Sequence, residues 1–134
     1  MKTKLKINHK DFKVLSSEIS YVTATHNNKR GFSILVNIDI ETNDNKGYIS
    51  FYVDFFKNND FKNIENKKYI QIPTELNSKI SMIEIFDTKN FIDFIDSDVI
   101  VEFGKIIDNQ IEMNFNIEDK LIKLEYQGML DIKE

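Results

Sequence analysis

The sequence predicts an all-β, mainly antiparallel fold of seven to eight strands, built from two meanders that stack as a β-sandwich or close as an up-and-down β-barrel. Three observations carry that expectation. Apolar residues recur at every second position through most of the chain, turns rich in Asn, Asp and Gly separate those runs, and helical spacing is confined to one short segment. The 134 residues are 41% hydrophobic and 30% charged, with 4 Gly and 1 Pro. That composition suits a single β-rich domain over residues 1–134 and rules out collagen-like, low-complexity and wholly disordered chains.

The clearest run is Gly31 to Glu41, where Phe32, Ile34, Val36, Ile38 and Ile40 occupy the even positions. A strand presents alternate residues to opposite faces, so this one buries its even face. From Tyr48 to Phe56 the odd positions Ile49, Phe51, Val53 and Phe55 are the apolar set, and Thr42 to Gly47 between the runs reads as a hairpin turn in which Gly47 supplies a positive φ. Upstream, Ile19, Tyr21 and Thr23 alternate with Glu18, Ser20 and Val22, and His26 to Gly31 repeats the same turn chemistry. These three strands form the first meander.

The second meander lies at the C-terminal end. Val99, Val101 and Phe103 alternate with Ile100, Glu102 and Gly104; Asp108-Asn109 is a two-residue turn; Ile111, Met113, Phe115 and Ile117 form the next apolar row. The final run keeps Ile122, Leu124, Tyr126, Gly128, Leu130 and Ile132 on one face. Gly128 falls where a buried side chain is missing, which predicts a bend or bulge in this long strand.

Between the meanders, Lys57 to Lys68 reads as a loop with one helical turn around Phe61 and Ile64, and Tyr69 to Ile72 as a short edge strand ended by Pro73. Met82 to Phe86 is a further strand candidate. Asp87 can cap a short helix near residues 88–95, where Phe91, Ile92, Phe94 and Ile95 recur at helical spacing.

Charge is graded along the chain. Met1 to Lys13 carries five Lys and one Asp, whereas Glu84 to Glu134 carries thirteen acids and five Lys, within a net charge of −4. Lys2, Lys4 and Lys6 alternate with Thr3, Leu5 and Ile7 and read as the solvated face of a strand. Arg30 is the single Arg, too little guanidinium for a nucleic-acid grip, so no nucleic-acid partner is expected. No stretch approaches the roughly 20 apolar residues that cross a bilayer, and the start lacks an apolar signal-peptide centre, so the expected setting is cytoplasmic, with no membrane partner.

Catalytic chemistry has little to stand on. There is no Cys, hence no thiolate nucleophile, disulfide or cysteine zinc site. His9 and His26 stand outside any spacing motif and read as turn and surface residues, and the four Gly are too dispersed for a phosphate loop. The acids Asp87, Asp93, Asp96 and Asp98 match no cation-loop spacing, and Lys46 stands where a helix-loop-helix calcium site needs Gly. No metal, cofactor or enzymatic activity is expected.

Two surfaces suggest binding. On the outer face of the strand at 48–56, Tyr48, Tyr52 and Phe56 form an aromatic strip, which the loop 57–68 is expected to cover if it is not a partner surface. Asp93, Asp96 and Asp98 give the C-terminal half a negative surface suited to a basic partner. The leading functional expectation is therefore a noncatalytic protein-binding module, of which toxin-neutralising immunity proteins are one kind. The alternative is a β-barrel carrying a small apolar ligand among its inward Phe and Ile. A hydrolase or isomerase working through Asp, Glu or Tyr ranks third.

Overall fold

Period-two alternation becomes one continuous sheet of eleven strands in the structure, a computed structural model that describes residues 2–42, 46–71, 79–86, 91–93, 98–118, 120 and 122–134. In chain order these are β1 (Lys4–Ile7), β2 (Lys10–Asp11), β3 (Lys13–His26), β4 (Lys29–Glu41), β5 (Lys46–Phe56), β6 (Lys68–Gln71), β7 (Ile80–Phe86), β8 (Phe91–Asp93), β9 (Asp98–Ile107), β10 (Gln110–Glu118) and β11 (Lys123–Lys133). The hydrogen-bonded order is β6-β9-β10-β11-β3-β4-β5-β7-β8, with β1 on β11 and β2 on β1. Both expected meanders are present. They meet along one parallel seam, where Asp131, Ile132 and Lys133 of β11 pair with Glu18, Ile19 and Ser20 of β3.

The length of β11 follows from this seam. Its first half pairs with β1 through Leu124 to Gln127, and its last residues pair with β3, so two short neighbours share one edge. Of the bend or bulge expected at Gly128, the bulge is absent: the β10–β11 register runs unbroken from Gln110↔Asp131 to Glu118↔Lys123. Gly128 serves its neighbour instead. A Cβ on it would lie 2.8 Å from the Tyr126 hydroxyl, which uses that space to donate a 2.9 Å hydrogen bond to Ser17.

Three hairpins close through two-residue turns at Asn8-His9, Asn27-Asn28 and Asp108-Asn109, each with both residues at positive φ between 49° and 68°. This backbone twist matches the twist of the flanking strands. Glycine was the expected residue at the turns near 26–31 and 42–47, but none of the described glycines has positive φ. Asn and Asp accept the left-handed region because their side chains hydrogen-bond locally. Gly31 lies inside β4, where a Cβ would come 2.5 Å from the ring of Phe55.

Four register shifts bend the sheet: at Leu15 of β3, between Val53 and Phe56 of β5, between Ser81 and Glu84 of β7, and between Phe103 and Ile106 of β9. An extra residue in one strand of a pair kinks it and increases its twist. The two halves thereby face each other, and Phe51 of β5 meets Phe115 of β10 with ring centroids 4.4 Å apart. Asp93 of β8 and Asp98 of β9 are five residues apart, so at most roughly 18 Å separates the far end of one half from the other. The sheet is not closed; β6 and β8 remain its two ends, which decides against a closed barrel. The edge position expected for the strand at 69–72 is occupied by β6, and Pro73 lies outside the described residues.

The short helix expected near 88–95 is overturned. Phe91–Asp93 is a strand paired antiparallel to Glu84–Phe86, and sheet pairing outweighs a weak helical spacing there. The helical turn in the loop after β5 is present as a 3₁₀ turn at Phe61–Asn63, with the Asp60 carboxylate accepting from the Lys62 N–H. Ile64 is fully buried and plugs the core.

Phe51→Ala and Phe115→Ala should each lower stability by about 3–5 kcal/mol in urea unfolding, and the double variant should lose less than the sum, because the rings touch. Asn28→Gly should raise stability by a few tenths to about 1 kcal/mol in the same assay, since glycine adopts the positive φ of that turn without a Cβ penalty.

Candidate functional site

The outer face of the first meander gathers residues from four strands in cross-strand rows. Register places Ser16, Asp39, Tyr48 and Phe86 in one row, Glu18, Asn37, Ser50 and Glu84 in the next, and Ser20, Leu35, Tyr52 and Ser81 in a third. Residues directly opposite one another across a strand pair have neighbouring side chains, so the rows form a continuous surface. Tyr48 stacks on Phe86, centroids 5.4 Å apart and planes 21° from parallel, and its hydroxyl donates to Glu84 Oε2 over 3.3 Å. Loss of solvent, then the Glu84 charge, raises the Tyr48 pKa above its ordinary value, which keeps the hydroxyl a donor.

The acids on this face are oriented. Asp39 accepts from the Ser16 hydroxyl at 2.9 Å and the Asn37 amide at 3.1 Å, and Glu18 faces Lys133 at 3.9 Å. Tyr52 is half-buried beside Leu35, and its hydroxyl has no partner among the described residues. The face therefore offers apolar contact, a free phenol and fixed carboxylates, a combination suited to recognition.

Phe56, expected beside Tyr48 and Tyr52, is turned to the other side. Two residues of β5, Asp54 and Phe55, oppose the single Ser33 of β4, and Asp54 takes a φ of 54°. The bulge is secured by Ser33 Oγ donating to the Asp54 carbonyl at 2.9 Å and by Lys79 reaching the Asp54 carboxylate at 3.3 Å. One added residue inverts the alternation, so Phe56 packs inward against Tyr21, and Phe55 lies with His26.

The loop 57–67 covers something other than Tyr48 and Tyr52. Phe61 packs on Tyr21 with centroids 4.6 Å apart, and the Tyr21 hydroxyl donates to the Asp60 carbonyl at 2.6 Å while accepting from the Asn63 amide at 3.2 Å. Glu65 accepts from the Ile106 N–H at 2.9 Å and pins the loop to β9. Tyr21 thus meets Phe32, Phe56 and Phe61 ring to ring at one end of the interior, a cluster signalled in sequence by the inward rows of Tyr21 and Phe32 and by the pair Phe61 and Ile64.

Of the acidic set, two members lie in described strands. Asp93 of β8 pairs with Glu84 of β7, Asp98 opens β9 opposite Glu118, and Asp87 and Asp96 lie outside the described residues. The graded charge also folds back on itself. Lys6 stands opposite Glu125, Lys68 opposite Glu102 and Lys123 opposite Glu118, so the basic start and the middle of the chain supply cations to the acidic C-terminal strands. Among the described residues no three His, Asp or Glu converge on a point that could hold a metal ion. No described helix is long and apolar enough to cross a membrane.

Burial, then the charge of Asp54, pushes the Tyr69 phenol up to about 12 from 10.0. A pKa raised in the folded state means stability that is complete below pH 10 and lost as pH climbs toward 12, because the unfolded chain releases the proton first. Urea midpoints should therefore fall over that window, and Tyr69→Phe should fall less. No protein-family profile, curated protein sequence or solved structure matches this chain.

Proposed function

We propose that the chain is a noncatalytic binding module that docks a protein partner through the outer face of β4, β5 and β7. The observation that carries this reading is the Tyr48–Phe86 stack with Tyr52 and Leu35 beside it, flanked by the carboxylates of Asp39 and Glu84. Tyrosines give broad contact with few rotors to immobilise, and oriented carboxylates favour a partner surface bearing Lys or Arg. The net charge of −4 adds steering toward such a partner. The acidic C-terminal strands support such docking less, because cross-strand lysines stand among their acids.

A carrier of small apolar molecules has less support. The interior brings Phe51 and Phe115 into direct contact, and Ile64 fills the capped end. Neither arrangement favours a bound guest, and no observation favours an enzyme.

A photo-crosslinking residue at position 52 should form an adduct with one basic protein in source-cell extract, and the same residue at position 127, on the outer face of β11, should form none. With the purified partner, Tyr52→Ala should weaken binding by about 2 kcal/mol, roughly 30-fold, and Glu84→Lys should slow association. Equal crosslinking from both positions, or unchanged affinity in Tyr52→Ala, would overturn the reading.

A further inference from the structure

A second site stands at the other end of the first meander. The last pairing of β4 with β5 is Phe32–Phe56, yet β3 and β4 continue together to His26–Lys29, so the hairpin projects as a two-stranded arm. Its inner face carries Thr23 opposite Phe32 and Thr25 opposite Arg30. With Lys57, the residue after Phe56, these side chains line an open groove of about 590 Å³, within the size range of small-ligand sites.

The charges in this groove are uncompensated. Arg30, the only Arg of the chain, and Lys57 make no ion pair or hydrogen bond with any described residue. The nearby carboxylates are engaged elsewhere: Asp54 with Lys79 and the Phe55 N–H, and Asp60 with the Lys62 N–H. The groove is thus lined by Arg30, Lys57, Thr23 and Thr25 together with the ring-bearing Phe32. We propose that this groove binds a small organic phosphate, the phosphoryl group lying between Arg30 and Lys57 and the apolar part resting on Phe32. A phosphomonoester carries roughly −1.5 to −2 at pH 7 and matches two cations, whereas a carboxylate leaves one unpaired. Arginine suits the bidentate grip, and a concave cationic site concentrates anions even on an acidic protein. The inference is independent of the partner face, which lies on the opposite side of β4.

The test is an amide-resolved NMR titration of the full chain with phenyl phosphate, inorganic phosphate and benzoate. Saturable shifts should be confined to residues 23–32 and 57, with phenyl phosphate binding about tenfold more tightly than the other two. Arg30→Gln and Lys57→Gln should each weaken it about tenfold, Arg30→Lys should recover only part of the loss, and Lys123→Gln should change nothing. All three positions are at least partly exposed, and the spectrum of each variant reports its fold. Shifts spread over the surface lysines, benzoate binding as well as phenyl phosphate, or full affinity in Arg30→Gln would overturn the proposal.

Discussion

The fold depends on one sheet being dry on a single face, because that face must find a partner and the only large apolar surface available is its own other half. Burying the inward residues of β4, β5, β9, β10 and β11 places Phe51 against Phe115 and leaves Ile34, Val36, Ile38, Phe103, Ile111 and Leu130 almost without solvent. Folding a sheet this way requires bends, and the four register shifts supply them. The parallel seam between β11 and β3 is where the two meanders become one surface, so the core is continuous across it.

Those bends also arrange the surfaces. The bulge at Asp54 and Phe55 moves Phe56 to the interior and leaves Tyr48 and Tyr52 outside with Phe86 of β7. One pair beyond it, Phe32–Phe56, β5 stops accompanying β4, so the Tyr-bearing face ends close to where the two-stranded arm that carries Thr25 and Arg30 begins. Two surfaces of opposite character, one aromatic and acidic, the other bearing Arg30 and Lys57, lie on either side of this added residue.

Electrostatics is reorganised by the same topology. A chain that is basic at its start and acidic toward its end becomes a surface of alternating signs, since β1 lies on β11 and β6 on β9. Opposite charges directly across a strand pair are favourable, and exposed pairs of this kind are worth little individually. Their consequence is for recognition: the negative face expected from the charge count is broken up where the acids are most numerous, and the oriented carboxylates stand beside the tyrosines.

The sequence by itself determined the all-β class, the two meanders, the two-residue turn at Asp108-Asn109, the solvated lysines of β1 and the outward Tyr48 and Tyr52, because each is written in alternation or turn chemistry spanning a few residues. Tertiary structure decided the rest. The strand at Phe91–Asp93 exists because β7 offers it hydrogen bonds; Phe56 faces inward because a bulge shifts the register; Gly128 is small because Tyr126 needs room to reach Ser17. Side-chain alternation is a local property of the backbone, whereas a bulge, a shared strand edge and a cross-strand charge pair depend on which distant segment lies alongside, and only the folded sheet specifies that neighbour.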